Sequence, residues 1–229
     1  GGEHNIRVFE NRGFNSYHAG LSAQPVFGGP VYFLRNIIYQ VPGTALKFKV
    51  RTAGLYVLHN TFCADLAIDP SSNLHVNNNL FFGPNERRGS LNGGFLTTNS
   101  SLDYNGYLAK ENQNFRWKYP TSHIQNNADE TEMEYFSTTS LTDFTSKTGF
   151  EVHGMLSDYS IFNKVVKPDP VRSSSVIPVG DSDFGLKSGA NVIDKGVLLP
   201  NINANFKGIA PDLGAMEYNQ KTPHYGKRP

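Results

Sequence analysis

The sequence predicts an all-β protein built as a right-handed parallel β-helix, a solenoid in which each coil carries three short strands. The first observation is an asparagine that recurs in four apolar runs, at spacings of 25, 24 and 19 residues. The second is the alternation of apolar and polar residues before each asparagine, which indicates strands. A strand-rich repeat of this length predicts coils that stack about 4.8 Å apart. The four asparagines are Asn11, Asn36, Asn60 and Asn79.

The strand before each asparagine is predicted from two apolar positions that lie five and three residues upstream. The pairs are Ile6 and Val8, Val31 and Phe33, Leu55 and Val57, and Leu74 and Val76. The residue directly before the asparagine is polar, and we expect Arg35 and His59 at that position to be exposed. We expect the asparagine itself to adopt the left-handed backbone that turns the chain. Stacked amides would hydrogen-bond from coil to coil, which satisfies a buried polar group.

The other predicted strand of each coil carries the outward face that matters for function. In "ALKFKV" (45–50), alternation points every second residue into the core and the others to solvent. The preceding coil repeats the pattern in "GLSAQ" (20–24). The inward set is Leu21, Ala23, Leu46 and Phe48, and the outward set is Ser22, Gln24, Lys47 and Lys49.

The remainder of the chain departs from the repeat. Asn105 indicates a fifth, weaker coil, and "SLTDFTSKTG" (140–149) predicts a helix capped by Ser140 and closed by Gly149. We divide the chain into coils at 1–108, an irregular insertion with this helix at 109–182, and a capping segment at 183–229 that packs on the β-helix and closes one end. Because a strand-like run follows Gly1 directly, we expect a C-terminal portion of a larger protein, completed by N-terminal coils.

Composition excludes several classes of function. The 229 residues have a formal net charge of +1, so no global field predicts binding to nucleic acid or to an anionic membrane. No apolar run reaches the roughly 20 residues of a membrane span. The single cysteine excludes an internal disulfide, and the seven histidines lack metal-ligand spacing. No cofactor is identifiable, and calcium is an option that no residue pattern locates.

The C-terminal runs "SGANVIDKG" (188–196) and "APDLGAME" (210–217), together with the asparagine coils, resemble the pectate-lyase-like family of right-handed parallel β-helix proteins. The resemblance implies a secreted or periplasmic protein that acts on a polysaccharide. This family includes lyases, hydrolases, epimerases, esterases and non-catalytic adhesins. The paired aspartates of its polygalacturonases and the calcium-binding aspartates and arginine motif of its pectate lyases are not recognisable here, so the resemblance predicts a fold rather than a reaction.

The resemblance also implies a substrate groove over the outward sheet face, and lyase chemistry is the favoured reading. β-Elimination from a uronic acid needs a base, an acid and a cation for the carboxylate. A lysine beside another cation can have a lowered pKa, so Lys47 and Lys49 are the candidate bases. His18 or Tyr17 would supply the other proton transfer. The candidate substrate-binding residues are Ser22, Gln24, Glu3, His4, Arg87 and Arg88.

Two other functions remain open. A glycoside hydrolase needs two carboxyl groups about 5–10 Å apart. None of the acids in the first four coils is predicted on the outward face, so a hydrolase would need carboxylates from upstream coils. These acids are Glu3, Glu10, Asp65, Asp69 and Glu86. The other alternative is a non-catalytic glycan-binding or structural β-helix, which exposed aromatic residues beside the groove would favour. In each case the expected partner is a polysaccharide, with an anionic one as the option that the lysines suggest.

Overall fold

The computed structural model describes residues 5–23, 29–49, 51–83, 90–110, 113–120, 133–169, 175–178 and 180–225. It shows an all-β chain wound as a right-handed parallel β-helix of about four turns. The predicted fold class is therefore confirmed. The register of the strands decides which side chains share a face.

The elements follow one another in short steps along the chain. The first three coils contain β1 (Ile6–Phe9), β2 (Arg12–Phe14), β3 (Ala19–Ala23), β4 (Val31–Leu34), β5 (Ile37–Tyr39), β6 (Thr44–Phe48), β7 (Ala53–Leu58), β8 (Thr61–Phe62) and β9 (Asp65–Ile68). The next strands are β10 (Ser72–Asn77), β11 (Leu80–Phe81), β12 (Leu91–Gly94), β13 (Ser101–Asp103), β14 (Gly106–Leu108), β15 (Phe115–Pro120) and β16 (Met133–Thr138). The last are α1 (Leu141–Thr148), β17 (Met155–Ser157), β18 (Phe162–Lys164) and β19 (Asp183–Leu186), with a 3₁₀ turn at Tyr159–Ile161.

These strands stack into parallel sheets that run along the solenoid. Sheet A consists of β1, β4, β7, β10 and β13, and sheet B of β2, β5, β8, β11, β14 and β17. Sheet C consists of β3, β6 and β9. Its stack continues into sheet D, in which β12 lies beside β9, β15 pairs with β12, and β16 pairs antiparallel to β15. The remaining strands, β18 and β19, form an antiparallel pair outside the coils.

The register confirms the apolar positions predicted from the repeat. Ile6, Val31, Leu55 and Leu74 are successive partners across sheet A, and their neighbours two residues on form a second row. On sheet C, Leu46 and Phe48 are fully buried and Leu21 packs against the same core. Large aromatic side chains such as Phe62 and Trp117 fill the interior between the sheets. The buried apolar area of these rows is what holds the short strands together.

The asparagine column is also confirmed. Each ladder side chain donates from Nδ2 to Oδ1 of the asparagine in the next coil, at 2.9 Å in all four steps from Asn11 to Asn105. The predicted fifth coil at Asn105 therefore exists. The column ends at Glu151, whose Oε1 accepts from Asn105 Nδ2 at 2.7 Å. A carboxylate can close the series because it accepts without having to donate onward.

The residue that takes the left-handed backbone differs from the prediction. It is the residue before each asparagine, with φ of 52° at Arg35, 53° at His59 and 60° at Asn78. Asn36 and Asn60 instead keep their side chains aligned for the column, and Nδ2 of Asn60 also donates to the carbonyl of Leu58 at 3.0 Å. The asparagine is required for its amide, and the preceding residue makes the turn.

The expectation that Arg35 and His59 are exposed is wrong. His59 is fully buried, and the side chain of Arg35 is only 20% exposed and pairs with Glu217 at 3.2 Å. The C-terminal segment covers both residues, because it packs along the side of the coils at the ladder turns rather than over an end. The amide of Gly214 donates to the carbonyl of Asn78 at 2.8 Å. The residues that bury this turn lie more than a hundred positions further along the sequence. The repeat contains no signal for their packing.

The predicted helix is confirmed. It is α1, preceded by Ser140 as N-cap and followed by Gly149 in the left-handed conformation at φ 72°. Ser140 Oγ accepts from the amide of Asp143 at 3.3 Å, and the Gly149 amide donates to the Thr145 carbonyl at 2.8 Å. Phe144 is its buried residue and anchors the helix to the interior of the coils.

Candidate functional site

The outward face of sheet C carries the predicted lysines. Ser22 and Lys47 are direct partners on neighbouring strands, as alternation predicted. Lys47 is half-buried, whereas Ser22 and Lys49 are exposed. Lys47 forms no ion pair with any residue that the structure describes. The structure thus brings together Ser22, Lys47 and Lys49, the three predicted outward residues whose side chains it describes.

An acid also reaches this face, contrary to the expectation that none does. Asp69 follows β9, and its Oδ1 lies 3.3 Å from Lys49 Nζ. Both side chains are solvent-exposed, so this ion pair contributes little to stability. It places a carboxylate, not a second cation, beside the Lys49 ammonium. One carboxylate does not supply the pair that glycoside hydrolysis requires.

Sheet D extends the same face with further cations. Phe115 and Trp117 on β15 are fully buried, so alternation turns Arg116 and Lys118 outward. Lys118 is opposite Tyr135 on β16, and that tyrosine is 60% exposed. We call this continuous surface the basic face. Its outward residues are Ser22, Lys47, Lys49, Asp69, Asn92, Arg116, Lys118 and Tyr135, so four cations share the face with one acid.

The loop that leads into β3 lies beside this face. Tyr17 is 89% exposed and His18 is exposed as well. A side chain at Gly43 would overlap the carbonyl of His18, so glycine is required where these two loops approach. No contact joins His18 or Tyr17 to Lys47. The other predicted site residues, Gln24, Glu3, His4, Arg87 and Arg88, lie outside the described residues.

A second candidate surface lies on the outward face of sheet A, where one row of polar and aromatic side chains crosses all five strands. Its members are Arg7, Tyr32, Tyr56, His75 and Ser101, each a register partner of the next. The Tyr32 and Tyr56 rings stack at 4.8 Å, and Tyr56 stacks on His75 at 5.0 Å. The faces of these rings cover one another, so their edges and polar atoms are what a ligand would meet.

The C-terminal segment converts this row into a cleft. Residues 199–202 stand opposite the row and enclose a volume of about 600 Å³, which we call the sheet A cleft. This wall is anchored by Asn203, whose Nδ2 donates to His59 Nε2 at 2.7 Å. Leu34 and Leu58 add an apolar strip to the floor. The size is that of a small-molecule site, although the cleft is open to solvent along its length.

The anchor of that wall depends on a neutral histidine. His59 Nδ1 lies 3.3 Å from the carbonyl of Gly214, an acceptor only, so Nδ1 carries the proton and Nε2 accepts. Burial, with the nearby Arg35 cation, lowers the pKa of His59 to about 3. Its neutral ring links the ladder turn to the wall of the cleft. The side-chain amides of Asn78 and Asn203 both donate to Nε2 of His59. Protonation of Nε2 would turn this acceptor into a donor and break both hydrogen bonds.

Polar contacts inside the cleft concentrate at His75. Its Nδ1 lies 2.8 Å from Ser101 Oγ, and its Nε2 lies 2.8 Å from Oδ1 of Asn73. Partial burial lowers the pKa of His75. Two residues beyond Ser101 along β13, Asp103 lies 2.8 Å from His153, whose ring stacks on Tyr104 at 4.2 Å.

Sequence reasoning missed the sheet A cleft although part of its signal was present. The row occupies the position four residues before each asparagine, between the two apolar positions that identify the strand. Three of its members, Tyr32, Tyr56 and His75, are aromatic, which is unusual for a solvated position. The opposite wall could not be predicted from the repeat, because residues 199–202 lie outside it.

Comparison with protein-family models, with curated proteins and with solved structures finds no match to this chain. The fold defines the class, a parallel β-helix protein, and none of these comparisons confirms the pectate-lyase-like family. Within the described part of the chain, no helix has the length and apolar character needed to cross a membrane. The same residues contain no group of three or more acidic, histidine or cysteine side chains placed to hold a metal ion.

Proposed function

We propose that this protein binds an acidic polysaccharide along the basic face. The single observation that carries the proposal is the set of four cations, Lys47, Lys49, Arg116 and Lys118, that project from one continuous sheet surface. Clustered cations attract anionic polymers and raise their rate of association. Because the net charge of the chain is only +1, the positive charge is concentrated on this face rather than spread over the whole molecule.

The shape of the basic face supports a polymeric ligand. From β3 to β16 it crosses six strands, which corresponds to about 24 Å at the usual strand spacing. A surface of this length suits an extended polymer better than a small molecule. Tyr135 is exposed opposite Lys118, and Tyr17 is exposed in the loop that leads into β3; exposed aromatic rings provide flat apolar surfaces on which sugar rings can stack. These features support the non-catalytic glycan-binding alternative, which exposed aromatic residues were expected to favour.

Lyase chemistry remains a proposal for the same face, with a division of roles between the two lysines. Lys49 already pairs with the Asp69 carboxylate, and a substrate carboxylate would take the place of that partner. Lys47, which lacks an ion pair among described residues, is the candidate base. A proton donor for the leaving oxygen would have to come from Tyr17 or His18 in the adjoining loop.

The binding proposal is tested with polygalacturonate and alginate as acidic polymers and dextran as a neutral one. We expect retardation of the protein in affinity electrophoresis with the acidic polymers, weakened by salt. Replacing Lys47, Lys49, Arg116 and Lys118 by glutamine should reduce affinity at least tenfold, about 1.4 kcal/mol. The matched control replaces four lysines that are exposed elsewhere, Lys147, Lys164, Lys187 and Lys195, and should bind like the unchanged protein. Equal retardation by dextran, or unchanged binding by the face variant, would refute the proposal.

The products formed from the same polymers identify the reaction. New ultraviolet absorbance from unsaturated ends indicates a lyase, and its loss in Lys47→Ala would support that residue as base. Reducing ends without this absorbance indicate a hydrolase. Intact polymer after prolonged incubation, together with binding, identifies a non-catalytic glycan-binding protein.

A further inference from the structure

Three polar side chains in the sheet A cleft have the arrangement of a nucleophile, a base and an orienting group. Ser101 Oγ lies 2.8 Å from His75 Nδ1, and His75 Nε2 lies 2.8 Å from Asn73 Oδ1. Both distances are within the range in which a base activates a serine hydroxyl while a third group fixes the imidazole. The three residues come from the adjacent strands β10 and β13. This cluster lies on sheet A, whereas the basic face lies on sheets C and D.

The hydrogen-bonding partners determine the tautomer of His75. The side-chain oxygen of Asn73 can only accept, so Nε2 must carry the proton. In a neutral ring Nδ1 is then an acceptor, and the hydroxyl of Ser101 is positioned to donate to it. Partial burial lowers the pKa of His75, which favours this neutral form. The hydroxyl has a second acceptor at 2.9 Å, Oδ1 of Asn77, and rotation about the Cβ–Oγ bond exchanges the two.

We propose that Ser101, His75 and Asn73 form a serine hydrolase site that cleaves acyl esters bound in the sheet A cleft. Ser101 is the nucleophile, His75 the general base and acid, and Asn73 the positioning residue. The proposal does not depend on binding of polysaccharide to the basic face. The substrate class is an ester with a small acyl group, because the cleft has about 600 Å³ and its apolar strip of Leu34 and Leu58 is short.

The reaction proceeds in two balanced halves. Ser101 Oγ forms a bond to the acyl carbon while its proton moves to His75 Nδ1, and collapse of the tetrahedral intermediate breaks the bond to the alkoxy oxygen. That oxygen leaves as an alcohol with the proton from His75. Water then attacks the acyl-serine, gives a proton to His75, and releases the carboxylic acid as Ser101 regains its proton.

The test uses the full chain with p-nitrophenyl acetate and p-nitrophenyl butyrate. We expect turnover above the rate in buffer and a loss of at least about 100-fold in kcat/KM for Ser101→Ala and for His75→Gln. Asn73→Ala should lower kcat, and Asn73→Asp, which can still orient the ring, should restore most of it. Ser146→Ala on the exposed face of α1 is the matched control and should keep full activity.

A serine-directed fluorophosphonate provides a readout independent of turnover. Mass spectrometry should find the label on Ser101, and His75→Gln should slow labelling because the hydroxyl has lost its base. Circular dichroism verifies that Ser101→Ala is folded. Turnover retained by Ser101→Ala, labelling at another residue, or a rate no higher than buffer would each overturn the proposal. Loss of polysaccharide binding in the basic-face variant with esterase activity intact would show that the two surfaces act separately.

Discussion

At the scale of single residues, the asparagine column shows why a poor strand former recurs in apolar runs. Each ladder amide satisfies a backbone carbonyl and the asparagine of the next coil at once. Nδ2 of Asn60 donates to the carbonyl of Phe33 and to Oδ1 of Asn79, both at 2.9 Å. Its own Oδ1 accepts from both the backbone amide and Nδ2 of Asn36. A buried amide with every group paired is stabilising, whereas the same amide unpaired would be costly.

This pairing predicts a large difference between an interior and a terminal ladder position. Asn60→Ala leaves two buried donors of Asn36 without an acceptor, and each such group costs about 1–3 kcal/mol. We expect a loss of about 2–4 kcal/mol in the free energy of unfolding, measured by urea denaturation. Asn11→Ala is the control, because Asn11 is exposed and should cost less than about 1 kcal/mol. Equal costs at the two positions would contradict the role of the column.

Glu151 is the residue at which the column changes chemistry. Its carboxyl group accepts from Asn105 Nδ2, from the Asn105 amide and from the Tyr107 hydroxyl. Burial raises the pKa of Glu151 to about 8, although these three hydrogen bonds oppose the shift. The end of the column therefore contains a titratable group in the interior of the protein, with consequences for the stability of the whole molecule.

At the scale of elements, α1 is the segment whose bounds follow most directly from local sequence. Its first and last turns are both satisfied by neighbouring residues, Ser140 at the start and Gly149 at the end. The strands behave differently, since each is short and depends on its neighbours in the stack. A helix with caps carries its own boundary signals, whereas a solenoid strand takes its boundary from register.

Substitution of the two caps tests this difference. Gly149→Ala forces a side chain into the left-handed conformation at φ 72° and should cost about 1 kcal/mol. Ser140→Ala removes the acceptor for the Asp143 amide and should also cost about 1 kcal/mol. Both are measured by thermal unfolding, with Thr142→Ala on the exposed face of α1 as control. A cost below about 0.3 kcal/mol for both cap variants would show that packing of Phe144 alone holds the helix.

At the scale of the whole molecule, two buried groups make stability depend on pH in opposite directions. The pKa of His59 falls from 6.5 to about 3 on folding, so the unfolded chain binds the extra proton between these values and stability declines as pH falls. The pKa of Glu151 rises from 4.5 to about 8, so the folded chain binds the extra proton and stability declines as pH rises through this range. Burial raises the pKa of Glu217 and Asp212 as well, which adds to the decline at higher pH.

These signs predict greatest stability in weak acid, between about pH 4.5 and 6.5. Urea midpoints measured from pH 3 to 9 should show this maximum. Glu151→Gln should flatten the alkaline side, where one group contributes at most about 1.4 kcal/mol per pH unit. His59→Gln should flatten the acid side. Asp181→Asn, exposed and remote from both, should leave the profile unchanged, and a maximum at or above pH 8 in the unchanged protein would contradict the assignment.

The sequence alone determined the coil, because the information for it is local and repeated. Apolar positions at fixed offsets from Asn11, Asn36, Asn60 and Asn79 specify strand, face and register, and stacking repeats them. The same alternation placed Lys47 and Lys49 on an outward face, which the structure extends with Arg116 and Lys118 from an aperiodic region.

Only the tertiary structure decided what the C-terminal segment covers. Its packing buries His59, pairs Arg35 with Glu217 and builds the wall opposite His75 and Ser101. These contacts join residues far apart in the chain, with no repeat to relate them and no periodicity to reveal them. In a repeat, each coil determines where the next coil stacks. The C-terminal segment has no such repeat, so its position is determined only by the surface on which it packs.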